Sequence, residues 1–154
     1  MKTLAHERDR AEIARRLTTI RPDGRALWGK MSAHQMVCHL SDSFRMALGR
    51  KTAKNVGGVL QRTVVKWIAL YVPVRWPTEL VTVPEVDQRV GGTAPVEFAA
   101  DLADLSELFE LFTNRTREDG IERPPHPIFG RMSNATWLRW GYLHTDHHLR
   151  QFAL

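Results

Sequence analysis

Phe98-Ala99-Ala100-Asp101-Leu102-Ala103-Asp104-Leu105-Ser106-Glu107-Leu108-Phe109-Glu110-Leu111-Phe112 is the stretch on which the fold turns. Phe98, Leu102, Leu105, Phe109 and Phe112 step by 4-3-4-3. That spacing keeps one apolar stripe of an α-helix facing a partner helix. Asp101, Asp104, Glu107 and Glu110 lie off the stripe. Pro95, just ahead, suits a first helical turn, where a missing N–H leaves no hydrogen bond unmade. The stretch therefore predicts a long helix packed in a bundle.

Working outward, the chain offers three more long helices. A first helix is predicted from Thr3 to Ile20, with Ile13, Leu17 and Ile20 on one face. It ends at the turn Arg21-Pro22-Asp23-Gly24, where Pro presets φ and Gly supplies positive φ. A second begins at Ser32, because Ser32-Ala33-His34-Gln35 has the form of a capping box. Its stripe is Met36, Val37, Leu40, Phe44, Ala47 and Leu48, with Gly49 placed to terminate it. The helix containing Phe98–Phe112 is the third. A fourth, capped by Ser133 or Asn134, runs to the chain end near Phe152, after the loop Arg123-Pro124-Pro125-His126-Pro127. Between the second and third lies a connection of about 45 residues, long enough to act as a lid or binding loop. It holds an apolar helical segment, Val59 to Val72, then an extended part broken by Pro73, Pro77, Pro84 and Gly91-Gly92. Four helices with one long crossover predict an all-α, up-down-down-up four-helix bundle formed as one domain by residues 1–154.

Composition narrows the function classes. A chain of 154 residues can bury a core without staples. The single cysteine, Cys38, excludes an internal disulfide framework and fits a reducing, cytoplasmic setting. The polar start, Lys2 to Arg8, has no apolar leader pattern, and no apolar run is long enough for a membrane span. The net charge is +5, but Arg45 to Trp76 carries seven basic residues and no acidic one. Such a segment is read first as a solvated basic face; it also favours anionic partners by long-range attraction, an anionic small molecule foremost among them. No nucleic-acid-binding motif accompanies it. Arg62 or Lys66 is expected to face that ligand, with the apolar segment covered against the bundle as a pocket wall.

The chemistry lies in the histidines. On the fourth helix, at about 100° per residue, Trp137, His148, Gln151, Trp140 and Gly141 fall on the same side as His144. Arg139, Asp146 and Arg150 fall opposite. His144 and His148, at i and i+4, are neighbours on an inward face. Two buried, unpaired imidazoles are costly, and a divalent metal ion satisfies both. His39, at the edge of the second helix's stripe, is the candidate third ligand. His147 is the alternative to His148, and His6 and His126 are expected at the surface or in loops. Cys38 is expected to be inert, because it is turned about 100° from His39. Gln151 and Trp137 are candidate substrate-binding residues. No general base stands out: Asp42 is the nearest candidate, and Asp146 faces away.

His39, His144-x-x-x-His148 and Gln151, on a four-helix chain of this length, resemble the DinB/YfiT-like superfamily of metal-dependent helical bundles. The segments Trp28–Met36, Cys38–Asp42, His126–Gly130 and His144–Phe152 are similar to a branch named only as a domain of unknown function. The resemblance covers nearly the whole chain. It implies that His39, His144 and His148 bind a divalent metal, zinc or nickel. It also implies a transferase or isomerase activity that uses a low-molecular-weight thiol cosubstrate. The family's final motif more usually has Gly before the Gln, whereas this chain has Arg150. The expected function is a metal-dependent enzyme on a small molecule. The alternative is a non-catalytic, metal-stabilised bundle that binds a small molecule or protein partner. A homodimer is compatible with either.

Overall fold

A computed structural model describes residues 1–78, 82–117 and 123–154. The described chain is all-helical. Its helices are α1 (Glu7–Leu17), α2 (Ala33–Ala47), α3 (Lys66–Tyr71), α4 (Phe98–Arg117) and α5 (Asn134–Gln151). A π-helical turn, Gln61–Val65, leads into α3, and a 3₁₀ turn, Pro84–Val86, follows it. None of the described helices is long and apolar enough to cross a membrane.

The helix ends follow local chemistry. At the start of α2 the Ser32 side chain accepts from the Gln35 backbone N–H, and the Gln35 side chain accepts from the Ser32 N–H, completing the capping box. At its end Gly49 takes φ +75°, Gly49 N–H donates to the Met46 carbonyl and Arg50 N–H to the Arg45 carbonyl. That is the Schellman closure, which a side chain with a Cβ would strain. Ser133 caps α5 by accepting from the Thr136 N–H. Two expectations need correction. Pro95 lies ahead of α4, whose first N–H groups are bound by the Glu97 carboxylate through Ala99 and Ala100. The first helix is shorter than Thr3–Ile20, because the Asp9 carboxylate accepts from the Thr3 N–H and folds the leading residues into a turn.

The core lies where α2, α4, α5 and α1 meet. Leu105, Phe109 and Phe112 of the 4-3-4-3 stripe are buried. Phe44 of α2 meets Phe109 and Phe112 with ring centroids 6.0 and 5.1 Å apart. Each such ring, fully buried, contributes about 1.5–3 kcal/mol of hydrophobic transfer. Gly141 of α5 lets that helix close on α4, since a Cβ there would stand 2.7 Å from Phe112 Cε1. Arg139, expected on the solvent face of α5, is buried instead. Its guanidinium donates to the carbonyls of Leu70 and Lys2, tying α5 to α3 and to the N-terminal segment.

The crossover helix also departs from expectation. Only Leu70 of α3 is buried, while Leu60, Val64, Trp67 and Tyr71 are exposed, Leu60 by 59% and Trp67 by 60%. The segment presents its apolar outer face to solvent rather than covering it. Val65, Ile68 and Ala69 nonetheless line a cavity that His39, His144 and His148 also line, although Val65 and Ile68 remain exposed.

Candidate metal centre

α2 contributes His39, and α5 contributes His144 and His148 one turn apart. One ligand atom from each lies within 4.8 Å of those of the other two, a grouping able to hold a metal ion. His39 Nε2 and His144 Nε2 are 3.2 Å apart. Two imidazole nitrogens, each about 2.0–2.1 Å from a tetrahedral zinc ion, stand roughly 3.3 Å apart, so this spacing fits an ion. The ring centroids of His148 lie 4.7 Å from His39 and 4.8 Å from His144.

Partners on the far nitrogens orient the rings. His39 Nδ1 donates to the Val86 carbonyl at 2.7 Å, which leaves Nε2 with its lone pair free. Gln151 Nε2 donates to the Trp28 carbonyl at 2.8 Å, so its Oε1 faces His148 and accepts from Nδ1 at 3.0 Å. His148 is thereby held in the same tautomer. Metal-binding histidines characteristically donate their other N–H to an oxygen acceptor in this way. His144 has no such acceptor: its Nδ1 is buried without a hydrogen bond, and Trp140 stacks on its ring at 4.8 Å and 15°. Burial holds His39, His144 and His148 below the ordinary imidazole value, and for His144 the adjoining His148 and His39 rings add to the effect. All three are neutral near pH 7, the form that binds metal.

A family model described as a protein of unknown function (DUF1569) matches residues 3–154. The chain belongs to the DUF1569 family. No curated protein and no solved structure matches it.

In this DUF1569 chain the three histidines open onto a cavity of about 850 Å³, within the range of small-molecule sites. It is bounded by α2, α5, the crossover and the loop after α4. Gln151 and His147 line it, but Trp137 does not. Trp137 is 1% exposed and packs edge-on to Trp140 in the core. Arg62 and Lys66 are also absent from the lining. Lys66 donates to the Arg131 carbonyl, and the Arg62 side chain lies against Gly130. The cations at the cavity are instead Lys30, Arg75 and Arg89. His147 stays outside the three-histidine group, between Trp28 and Trp76.

His126 lies in the loop ahead of α5, as its proline-rich surroundings predict, but not at the surface. It is buried, stacks on Phe129 at 4.8 Å and lines the cavity. Its Nδ1 accepts from the N–H groups of Ile128 and Phe129, both at 3.1 Å, so the ring proton sits on Nε2. Burial pushes its pKa down to about 3, making it a neutral donor at physiological pH.

Asp42 is not an available base. It is fully buried, paired with Arg45 and Lys51, and accepts from the Thr93 N–H and hydroxyl. A second grouping, His34, Cys38 and Asp101, joins the starts of α2 and α4. There Asp101 Oδ2 already accepts from His34 Nε2, the Val96 N–H and the Cys38 thiol. That oxygen is fully engaged, and burial pushes the Cys38 thiol up to about 12. This cluster acts as a tie between helices. Asp146 is likewise engaged, by Arg16 and Arg150.

Proposed function

We propose that His39, His144 and His148 hold one divalent metal ion, and that the chain is a metal-dependent enzyme acting on a small molecule in the cavity beside them. The observation that carries this is the pair of lone pairs fixed on His39 Nε2 and His148 Nε2 by Val86 O and Gln151 Oε1, next to His144 Nε2. Three protein ligands leave a position for an exogenous one, as in catalytic rather than structural sites. A divalent ion there supplies Lewis acidity and activates a coordinated water or thiol. The chain's own residues do the rest. Gln151 orients His148, Trp140 and Trp76 wall His144 from bulk solvent, and His126 offers a neutral N–H to the bound molecule.

The finer features follow from the same picture. Imidazole ligands suit zinc or nickel. The resemblance to the DinB/YfiT-like superfamily supports a low-molecular-weight thiol as cosubstrate. Its bundle order, up-down-down-up, is supported by two meetings of α2 and α4: His34 pairs with Asp101 near their starts, and Phe44 meets Phe109 and Phe112 farther along. The lone, buried Cys38 supports a cytoplasmic setting. The exposed face of α3 supports a homodimer.

Cobalt(II)-substituted protein tests the open position. Added azide or thiol is expected to shift the visible bands of the bound cobalt. Bands that stay fixed at saturating azide and thiol would indicate a fourth protein ligand and contradict an enzymatic site.

A further inference from the structure

Each segment that supports a ring of the three-histidine group also carries a cation to the cavity. The Trp28 carbonyl anchors Gln151 and through it His148, and Lys30 follows two residues later. The Trp76 ring lies 6.3 Å from that of His144, and Arg75 precedes it. The Val86 carbonyl accepts from His39, and Arg89 comes three residues on. All three cations line the cavity and are exposed. Among the described lining residues the only carboxylate is Asp87, which is engaged by the Arg89 N–H at 2.9 Å and Nε at 3.4 Å. Three cations stand against one carboxylate, an excess of two positive charges. Lys30 and Arg75 form no ion pair among the described residues. Much of the remaining lining is apolar, including Val65, Ile68, Val74, Val83, Ile128 and Phe129.

We propose that this cavity takes an amphipathic anion, its apolar body against that apolar lining and its anionic group held by Lys30 and Arg75 at the rim. This names the ligand class of the proposed metal site, and it rests on that site for where the reacting end of the ligand lies. A neutral ligand leaves the rim cations without a counter-charge, and a cationic one is repelled by them. A fully polar anion leaves the apolar lining facing water, at a cost set by its area. Arg89, already paired with Asp87, contributes less than the other two.

Decanoate and decyltrimethylammonium share a chain and differ in head charge, so they separate the terms. Calorimetric titrations use the full chain, metal-free and zinc-loaded, with a Lys30→Gln/Arg75→Gln variant beside it. Both side chains are exposed, so the variant keeps the core intact. The metal-free wild type should bind decanoate at least about tenfold more tightly than the cation at low salt, with the gap narrowing at high salt. The variant should lose most of that preference and keep wild-type zinc affinity. Equal binding of the two amphiphiles, or an undiminished preference in the variant, overturns the proposal. The two readings fail separately. Zinc binding without a head-charge preference overturns the anion class alone, whereas a decanoate preference in a chain that takes up no zinc supports it and overturns the metal site.

Discussion

Replacing Gln151 with alanine should weaken metal binding without touching a ligand. In the native chain its amide bridges the Trp28 carbonyl and His148 Nδ1 at 2.8 and 3.0 Å. Truncation leaves the His148 N–H without its acceptor, at a cost of about 1–3 kcal/mol in stability. It also frees the ring to rotate and lowers its basicity. Losing such an outer partner typically costs about 10–100-fold in metal affinity, or roughly 1.4–2.7 kcal/mol. Gln151→Glu keeps an acceptor within reach of Nδ1 and should recover most of the affinity. Competition with a chromophoric chelator measures the zinc dissociation constant, and denaturant unfolding of the metal-free chain measures the stability term separately. A zinc affinity for Gln151→Ala within about twofold of wild type would refute the orienting role.

Other substitutions probe the scaffold. Gly141→Ala places a methyl 2.7 Å from the buried Phe112 ring and should destabilise the chain by roughly 1–3 kcal/mol through overpacking; an unchanged denaturation midpoint would contradict the close approach of α5 to α4. His126 has its pKa lowered from 6.5 to about 3, so below pH 6.5 the unfolded chain takes up a proton that the folded chain refuses. Its contribution to stability is therefore full above pH 6.5 and is lost as pH falls toward 3. In His126→Asn, which keeps an acceptor for the two loop N–H groups, the acid loss of stability should be shallower between pH 6.5 and 4, and an identical slope would refute the assignment. Cys38, with its pKa pushed up to about 12, should label with a disulfide reagent at pH 8 only as fast as the chain opens. Immediate labelling of the native protein would contradict its burial.

The helices and the metal candidates were legible because both are written in side-chain spacing. The 4-3-4-3 stripe of α4 and the i, i+4 pair His144 and His148 are periodic signals, and Ser32 with Gln35 is a local one. The supports of those histidines were not legible. Val86 and Trp28 act through backbone carbonyls, which every residue carries, so no residue type marks them. His126 lies in a loop, as its flanking prolines suggest, but they do not show that the loop folds onto Trp137 and Trp140. Trp137 and Trp140 share the inward face of α5, and the helical wheel could not tell that only Trp140 borders the cavity. For the crossover, the expectation that an apolar helix must be covered misplaced Arg62 and Lys66. The segment turns these toward the 130–131 loop and leaves Trp67 and Tyr71 outside.

The most direct measurement is the metal content of untagged protein after loading with zinc and removal of excess, in the wild type and in single alanine variants of His39, His144, His147 and His148. Wild type and His147→Ala should each retain one ion per chain, and the other three variants should fall far below it while remaining helical by circular dichroism. Full occupancy in His39→Ala, His144→Ala or His148→Ala, or loss confined to His147→Ala, would contradict the three-histidine centre.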